Sequence, residues 1–328
     1  MYYLWWDRGH WLSHLGRGYP TQRGAEPLPA HLDASGCNAV TRYPGNVETD
    51  ISPGLQYDQA NPATIARDVK LAAAAGLTGF VVNWIGAGTP AQDPSSTALN
   101  QRLQYTFNAV HRINARGGHF SIILNYQSSA RHLTTTQFRN DFKYFLSRYG
   151  RDSALNHRFS RRPEVVMAGT WKYSDHDLAV ISHTFRSRFY LMGDEKPASW
   201  DNRRAALLDG TSYYWSSQNP IKNRSSFATL HRFAATVRKA KNPDGRPKTW
   251  LAPFIPGYNA SLLYHTSTCV PRDNGQTMRS LFAGNSASHP DGWTLISWNE
   301  ITEGTYVVPL LRYGKTYLNV LKSIIVRR

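Results

Sequence analysis

Two hydrophobic periods alternate along the chain. Short β-branched or aromatic runs are separated by longer stretches with apolar residues three and four apart, the pattern of strands alternating with amphipathic helices. Tyr2–Trp6 reads as a first strand, and a long irregular stretch from Gly9 to Ala60 follows it. Asn61-Pro62 opens a helix as N-cap and first helical residue, and Gly76 ends it after Ala72–Ala75. Gly79–Asn83 is the second strand. The next helix, from Thr97, carries Leu99, Leu103, Phe107, Val110 and Ile113 on one face. Phe120–Leu124 is the third strand, followed by a helix with Phe138, Phe142 and Phe145. Val165–Ala168, Phe189–Met192 and Leu207–Tyr214 are strands four to six, with a helix from Ser174 after the fourth. A helix with Leu230, Phe233 and Val237 precedes the seventh strand, Trp250–Phe254. Thr294–Ser297 is the eighth strand, and a helix from about Thr316 closes the chain.

Eight such units in 328 residues predict an α/β protein, a single (β/α)8 TIM-barrel domain over 1–328 with elaborated loops at its C-terminal face. A doubly wound sheet is the alternative, but no glycine-rich phosphate loop follows the first strand.

In such a barrel the active site lies at the C-terminal strand ends. The residues there are Asp7, Trp84, Asn125, Tyr126, Trp171, Asp194, Glu195, Asp209, Tyr214, Trp215, Tyr258 and the segment from Ser297 to Thr305. Aromatic faces for sugar rings, amides for hydroxyls and carboxylates for acid–base work make this set suit a carbohydrate. It holds no cysteine and no histidine cluster with metal spacing, so neither a metal nor a cofactor is expected. His10, His157 and His176 stand alone and read as structural or surface residues. The 10 Trp and 18 Tyr fit the same substrate class, although a large barrel needs bulky residues in any case.

The most specific segment is Ser297-Trp298-Asn299-Glu300-Ile301-Thr302-Glu303-Gly304-Thr305, an apolar strand ending in two carboxylates three residues apart. Glycoside cleavage needs one carboxyl group to protonate the leaving oxygen and a second to attack, stabilise or deprotonate. Gly304 permits a tight turn behind the pair.

This segment resembles the Trp-Asn-Glu-x-x-Glu-Gly-Thr motif of glycoside hydrolase family 99, the endo-α-mannosidases and endo-α-mannanases. Further stretches recur in the family's order: Ile51 to Asp58, Gly76 to Trp84, Leu208-Asp209-Gly210 through Tyr214, Pro256-Gly257-Tyr258, and Arg272-x-x-Gly275. The resemblance implies Glu303 as general acid/base. It implies Glu300 as the base toward the sugar 2-hydroxyl, in a retaining route through a 1,2-anhydro sugar. It places Asn299, Tyr214, Tyr258 and Arg272 around the substrate. Trp84, Tyr126 and Trp298 are expected to add contacts from the strand ends. Glu195 suits either substrate binding, in place of a family Glu where this chain has Val308, or an ion pair with one of the many arginines. Ile301-Thr302 also departs from the family pattern between the two glutamates.

The reading is therefore an endo-acting α-glycoside hydrolase for an α-mannoside-like oligo- or polysaccharide. A non-hydrolytic carbohydrate-binding or polysaccharide-assembly protein on the same fold is one alternative, since fold does not fix function. An endo-α-1,3-glucanase-like enzyme is another.

Charge changes this picture little. The surplus of +16 permits an acidic partner, but its 38 basic residues are scattered and form no basic arm, so no nucleic acid is expected. No apolar run reaches the ~18 residues of a membrane span, and a monomer is expected. The opening Met1-Tyr2-Tyr3-Leu4-Trp5-Trp6 lacks the regions of a signal peptide. The chain is thus either intracellular or, with a leader removed, extracytoplasmic. Cys37 and Cys269 lie in loops of the same predicted rim and are expected to be close in space.

Overall fold

Seven parallel strands lie side by side in chain order, β1-β2-β3-β4-β5-β6-β9. They are β1 (Gly79–Trp84), β2 (Ser121–Tyr126), β3 (Glu164–Met167), β4 (Tyr190–Gly193), β5 (Gly210–Ser212), β6 (Thr249–Phe254) and β9 (Gly292–Leu295). A small antiparallel pair, β7 (Tyr258–Asn259) and β8 (Cys269–Val270), sits in the loop after β6. The computed structural model describes residues 1–7, 9–10, 36–37, 56–88, 94–127, 134–214, 225–264 and 268–325. Most of the irregular stretch after the first predicted strand, and Trp215, lie outside the described residues.

The ring closes through the first residues of the chain. Tyr2 pairs with Val82 of β1 through two backbone hydrogen bonds, Tyr2 N to Val81 O at 2.8 Å and Asn83 N to Tyr2 O at 2.7 Å. On its other side the Met1 amino group donates to Leu295 O at 2.7 Å, and Trp298 N donates to Met1 O at 2.9 Å. The result is a (β/α)8 TIM barrel whose eighth stave is very short. The predicted strand Tyr2–Trp6 shrinks to one bridge because side chains take over its backbone bonding. Asn299 Oδ1 accepts from Tyr3 N at 2.8 Å, Gln59 Oε1 accepts from Trp6 N at 3.0 Å, and Arg102 donates to Leu4 O at 2.7 Å.

The helices follow from caps and periodicity. In α1 (Pro62–Ala74) the Asn61 side chain accepts from Ala63 N at 2.9 Å. Gly76 ends that helix at φ +90°, and a Cβ there would lie 2.8 Å from Ile325. In the helix Thr135–Tyr149, Thr134 and Gln137 form a capping box, and Phe138, Phe142 and Phe145 face the core. The sixth predicted strand is corrected. Leu207 ends a helix, Asn202–Leu207, whose N-cap Asp201 accepts from Arg204 N at 2.9 Å, and only Gly210–Ser212 is strand. The helices Gln276–Ser286 and Ser261–Tyr264 were not expected. Among the described residues no helix is long and apolar enough to cross a membrane.

The main core fills the space between staves and helices, while a smaller cluster of Val166, Tyr190, Met192 and Leu251 fills the lumen with Val81, Ile123 and Phe159. A packed lumen floor of this kind separates the two ends of the barrel, and such barrels carry their active sites at the C-terminal end of the strands.

Candidate active site

That end holds a cavity of about 700 Å³. Among the described residues, three carboxyl groups line it: Glu300, Glu303 and Asp194. Tyr3, Trp5, Trp171, Tyr213, Tyr214 and Tyr264 supply aromatic surface, and Asn125 and Gln127 supply amides.

The loop after β9 carries two of the carboxyls and is closed on itself. Ser297 N donates to Thr305 O at 2.9 Å, Glu300 N to Ser297 Oγ at 2.6 Å, and Gly304 N to Ile301 O at 3.1 Å. Gly304 turns at φ +63°, where a Cβ would lie 3.0 Å from Asn259 O, so the turn excludes larger residues twice over. Behind the loop, the buried Arg272 donates to Gly304 O at 2.8 Å and Tyr306 O at 2.9 Å. Its guanidinium carbon lies 4.9, 4.2 and 4.2 Å from the ring centres of Tyr306, Tyr313 and Tyr317. A planar cation stacked on three rings and bonded to two carbonyls clamps the loop rather than facing the cavity.

Glu300 is 4% exposed, and Thr302 Oγ1 donates to its Oε1 at 2.6 Å. Burial, and then the charge of Glu303, raise its pKa well above the usual carboxylate range. Burial also raises Glu303, against which works the hydroxyl of Tyr214, donating to Oε2 at 3.0 Å. Tyr3 OH in turn donates to Tyr214 OH at 3.2 Å. Asp194 accepts from Tyr214 N and Gly169 N, each at 2.9 Å, while burial raises it to about 6.

Of the residues expected at the site, Asn125, Trp171, Asp194, Tyr214, Glu300 and Glu303 meet at the cavity. Asn299 is fully buried beside it, donating to Tyr3 O at 2.8 Å and Tyr57 OH at 3.0 Å. Tyr57 passes this on to the buried Asp68, whose Oδ2 accepts at 2.5 Å. Tyr258, 8% exposed, is not among the residues lining the cavity, but after burial the charge of Glu303 helps to raise its phenol. Trp84 and Tyr126 are buried and committed elsewhere, Trp84 Nε1 to Asn100 at 2.8 Å and Tyr126 OH to Asp141 at 2.6 Å. Trp298 packs against Phe80, with ring centres 5.6 Å apart. Glu195 is fully buried and pairs with Arg204 at 2.8 Å, so of the two readings of this residue the ion pair is the one observed. Asp209 lies at the opposite strand end, before β5, paired with Arg186 at 2.9 Å. Asp7 pairs with Arg102.

Tyr3, Trp5, Tyr213 and Tyr264 line the cavity without having been singled out. The alternation of the first stave was the available signal for two of them: Met1, Tyr3 and Trp5 all line it, so its odd-numbered residues face inward. Tyr264 lies in a short helix with no such signal. Cys37 and Cys269, 232 residues apart, form a disulfide with Cα atoms 5.8 Å apart, and Asn259 Nδ2 donates to Gly36 O at 2.9 Å beside it. The bond staples two rim loops together. Among the described residues no group of three His, Cys, Asp or Glu could hold a metal ion.

No family model and no curated protein matches the chain. Solved structures do. The glycoside hydrolase family 99 endo-α-mannosidase of Bacteroides thetaiotaomicron superposes with a TM-score of 0.69 at 15% identity, over 99% of this chain and 95% of that one. The same enzyme in complex with bis-tris propane gives the same values. A glycoside hydrolase-like protein gives a TM-score of 0.65 at 14% identity, over 85% of this chain and 89% of that one. This chain is therefore similar, along nearly its whole length, to the barrel fold of a family 99 endo-α-mannosidase.

Proposed function

We propose that the chain is a glycoside hydrolase, a monomeric single-domain enzyme that cleaves an α-linked, α-mannoside-like glycan internally and with retention. The observation that carries this reading is the meeting of Glu300 and Glu303 on one short loop at an aromatic-lined cavity, with burial raising both carboxyls. Glu303 protonates the leaving oxygen while Glu300 takes the proton of the sugar 2-hydroxyl, whose oxygen attacks C1. Glu303 then takes a proton from water, which opens the 1,2-anhydro ring at C1, and Glu300 returns its proton to O2. In this route the substrate's own 2-oxygen, lying opposite the leaving oxygen, is the nucleophile, so no carboxylate is needed to attack C1.

Burial holds both carboxyls above the usual range, and a sugar hydroxyl donating to Glu300 would stabilise its anion, leaving Glu303 as the acid. The fold likeness to an endo-α-mannosidase supports the substrate class.

Reducing-end release from α-mannan, α-glucan and arabinan-type polymers tests the activity. A protein that binds one of these and cleaves none would instead be a carbohydrate-binding protein. Proton NMR of the first product formed tests retention: a β-anomer appearing first excludes it, and a sugar trapped covalently on a carboxylate removes the special role of Glu300.

A further inference from the structure

Part of the cavity wall has no task in this chemistry. Trp171, Lys172 and Lys196 line the same cavity as the carboxyls but come from the neighbouring strand ends of β3 and β4. Trp171 and Lys172 belong to a single 3-10 turn, Thr170–Lys172, which Gly169 opens at φ +64°. The N–H of Gly169 donates to Asp194 Oδ2 at 2.9 Å and Asp194 N donates to Thr170 Oγ1 at 2.9 Å, so the turn is tied to the β4 end that carries Lys196. Both ammonium groups then converge on one indole. Lys196 Nζ lies 3.4 Å from the Trp171 ring centre and Lys172 Nζ lies 4.9 Å from it.

Two cations sharing one ring repel each other; the charge of Lys196 acts on Asp194, but without an ion pair between them. Glu195 is committed to Arg204 and Ser199, and Asp175 to Arg203 and Arg204. Asp194 points both oxygens at backbone N–H groups. Among the described residues neither ammonium has an ion-pair partner. The indole holds the two charges at one spot on the cavity wall, which reduces the ordering cost of binding an anion there. The cavity is less hostile to an anion than its glutamates suggest, since burial raises Glu300 and Glu303 toward their neutral forms. The +16 surplus of the chain draws an anionic polymer from a distance.

We propose that Trp171, Lys172 and Lys196 form a subsite for a negatively charged substituent on a sugar ring, so that the glycan this cavity takes is acidic. The inference rests on reading the cavity as a glycan site. The shared chemistry is an anionic group on a sugar, which a uronic-acid carboxylate or an ester-linked phosphate could each supply.

The test measures binding by calorimetry, with two matched pairs of probes. One pair is α-1,4-linked oligogalacturonate and its methyl-esterified, uncharged counterpart. The other is an α-mannan oligosaccharide with a mannose 6-phosphate group and the same sugar dephosphorylated. At least one charged probe should bind on the order of ten-fold more tightly than its neutral partner, and the preference should fall with salt. The double variant Lys172→Gln/Lys196→Gln, with its melting temperature checked against the parent, should bring that ratio close to one. Whichever pair responds identifies the source of the charge. The proposal is overturned if neither charged probe is preferred, or if the preference survives the double substitution. Cleavage of a neutral glycan with no preference for charge would overturn it while leaving the hydrolase reading intact. A lysine-dependent preference with no cleavage of any probe would do the reverse.

Discussion

Glu300 and Glu164 occupy opposite ends of the same barrel, and both are carboxyl groups buried in its interior. Glu300 follows the last strand, and Glu164 opens β3 at the other end. Burial raises both, Glu164 to about 7. Their surroundings differ. Glu300 reaches a cavity shared with Glu303 and Asp194, and its oxygen accepts from Thr302. Glu164 accepts from Phe159 N at 2.7 Å through one oxygen, the other has no hydrogen-bond partner among the described residues, and Phe159 packs with Tyr190 beside it, ring centres 6.1 Å apart. The same desolvation therefore acts at a candidate site and at a closed floor. A raised carboxyl reports burial; chemistry further requires access and a second group.

Substitution at the two ends should separate these roles. Glu303→Gln should reduce cleavage by about 10²–10⁴-fold, measured as reducing-end release on the polymer the parent cleaves, while binding and melting temperature stay near the parent's. A variant that keeps its activity would reduce the rim pair to the status of Glu164.

The rim differs from the floor also in being stapled. Replacing Cys37 and Cys269 by Ser, or reducing the bond, should cost about 2–5 kcal/mol of stability in denaturant titration. The unfolded, unreduced protein should titrate with no free thiol.

Glu164→Gln should have the opposite sign to a loss. A folded-state pKa raised from 4.5 to about 7 means that ionising Glu164 costs stability, a cost absent below about 4.5, growing across that window and complete above about 7. The variant should therefore be more stable than the parent at pH 8, by roughly 1–3 kcal/mol, and equal to it near pH 4. Cleavage should be unaffected. Thermal melts across pH decide this, and a gain independent of pH would show that Glu164 is not buried as an acid.

Tyr214→Phe should give the smallest change. Its hydroxyl lowers the pKa of Glu303, so its loss should move the pH–rate limb belonging to that acid upward, by at most about one unit, with a loss of about 0.5–1.5 kcal/mol in transition-state stabilisation. A downward shift would show that the phenol acts on another group.

Much of the architecture was legible in local pattern. Phe138, Phe142 and Phe145 recur at helical spacing, Asn61-Pro62 and Gly76 bracket a helix, and Val81, Ile123 and Val166 sit in runs too short and too apolar for helices. These signals need only near neighbours in the chain, so they survive without knowledge of the fold. The loop from Ser297 to Thr305 was readable for the same reason: its carboxylates and its glycine are adjacent in sequence.

The commitments of the other candidates depend on partners far along the chain. Nothing near Glu195 announces Thr211, whose hydroxyl accepts its N–H at 3.1 Å, and nothing near Arg272 announces the three tyrosines that stack on it. Asp194 and Glu195 are neighbours of one type, and alternation on a strand end sends one toward the cavity and the other toward Arg204. Which of the two faces the lumen depends on the register of β4, which pairing with β3 and β5 sets. The amino-acid sequence by itself determined most of the alternation of strands and helices, the cap at Asn61, and the pair Glu300 and Glu303, because each is a matter of spacing within a few residues. Tertiary structure alone decided that Trp84, Tyr126 and Arg272 are spent on packing while Asp194, not Glu195, and Tyr264 face the cavity, because burial and hydrogen-bond partners are properties of surfaces that meet only when the barrel closes.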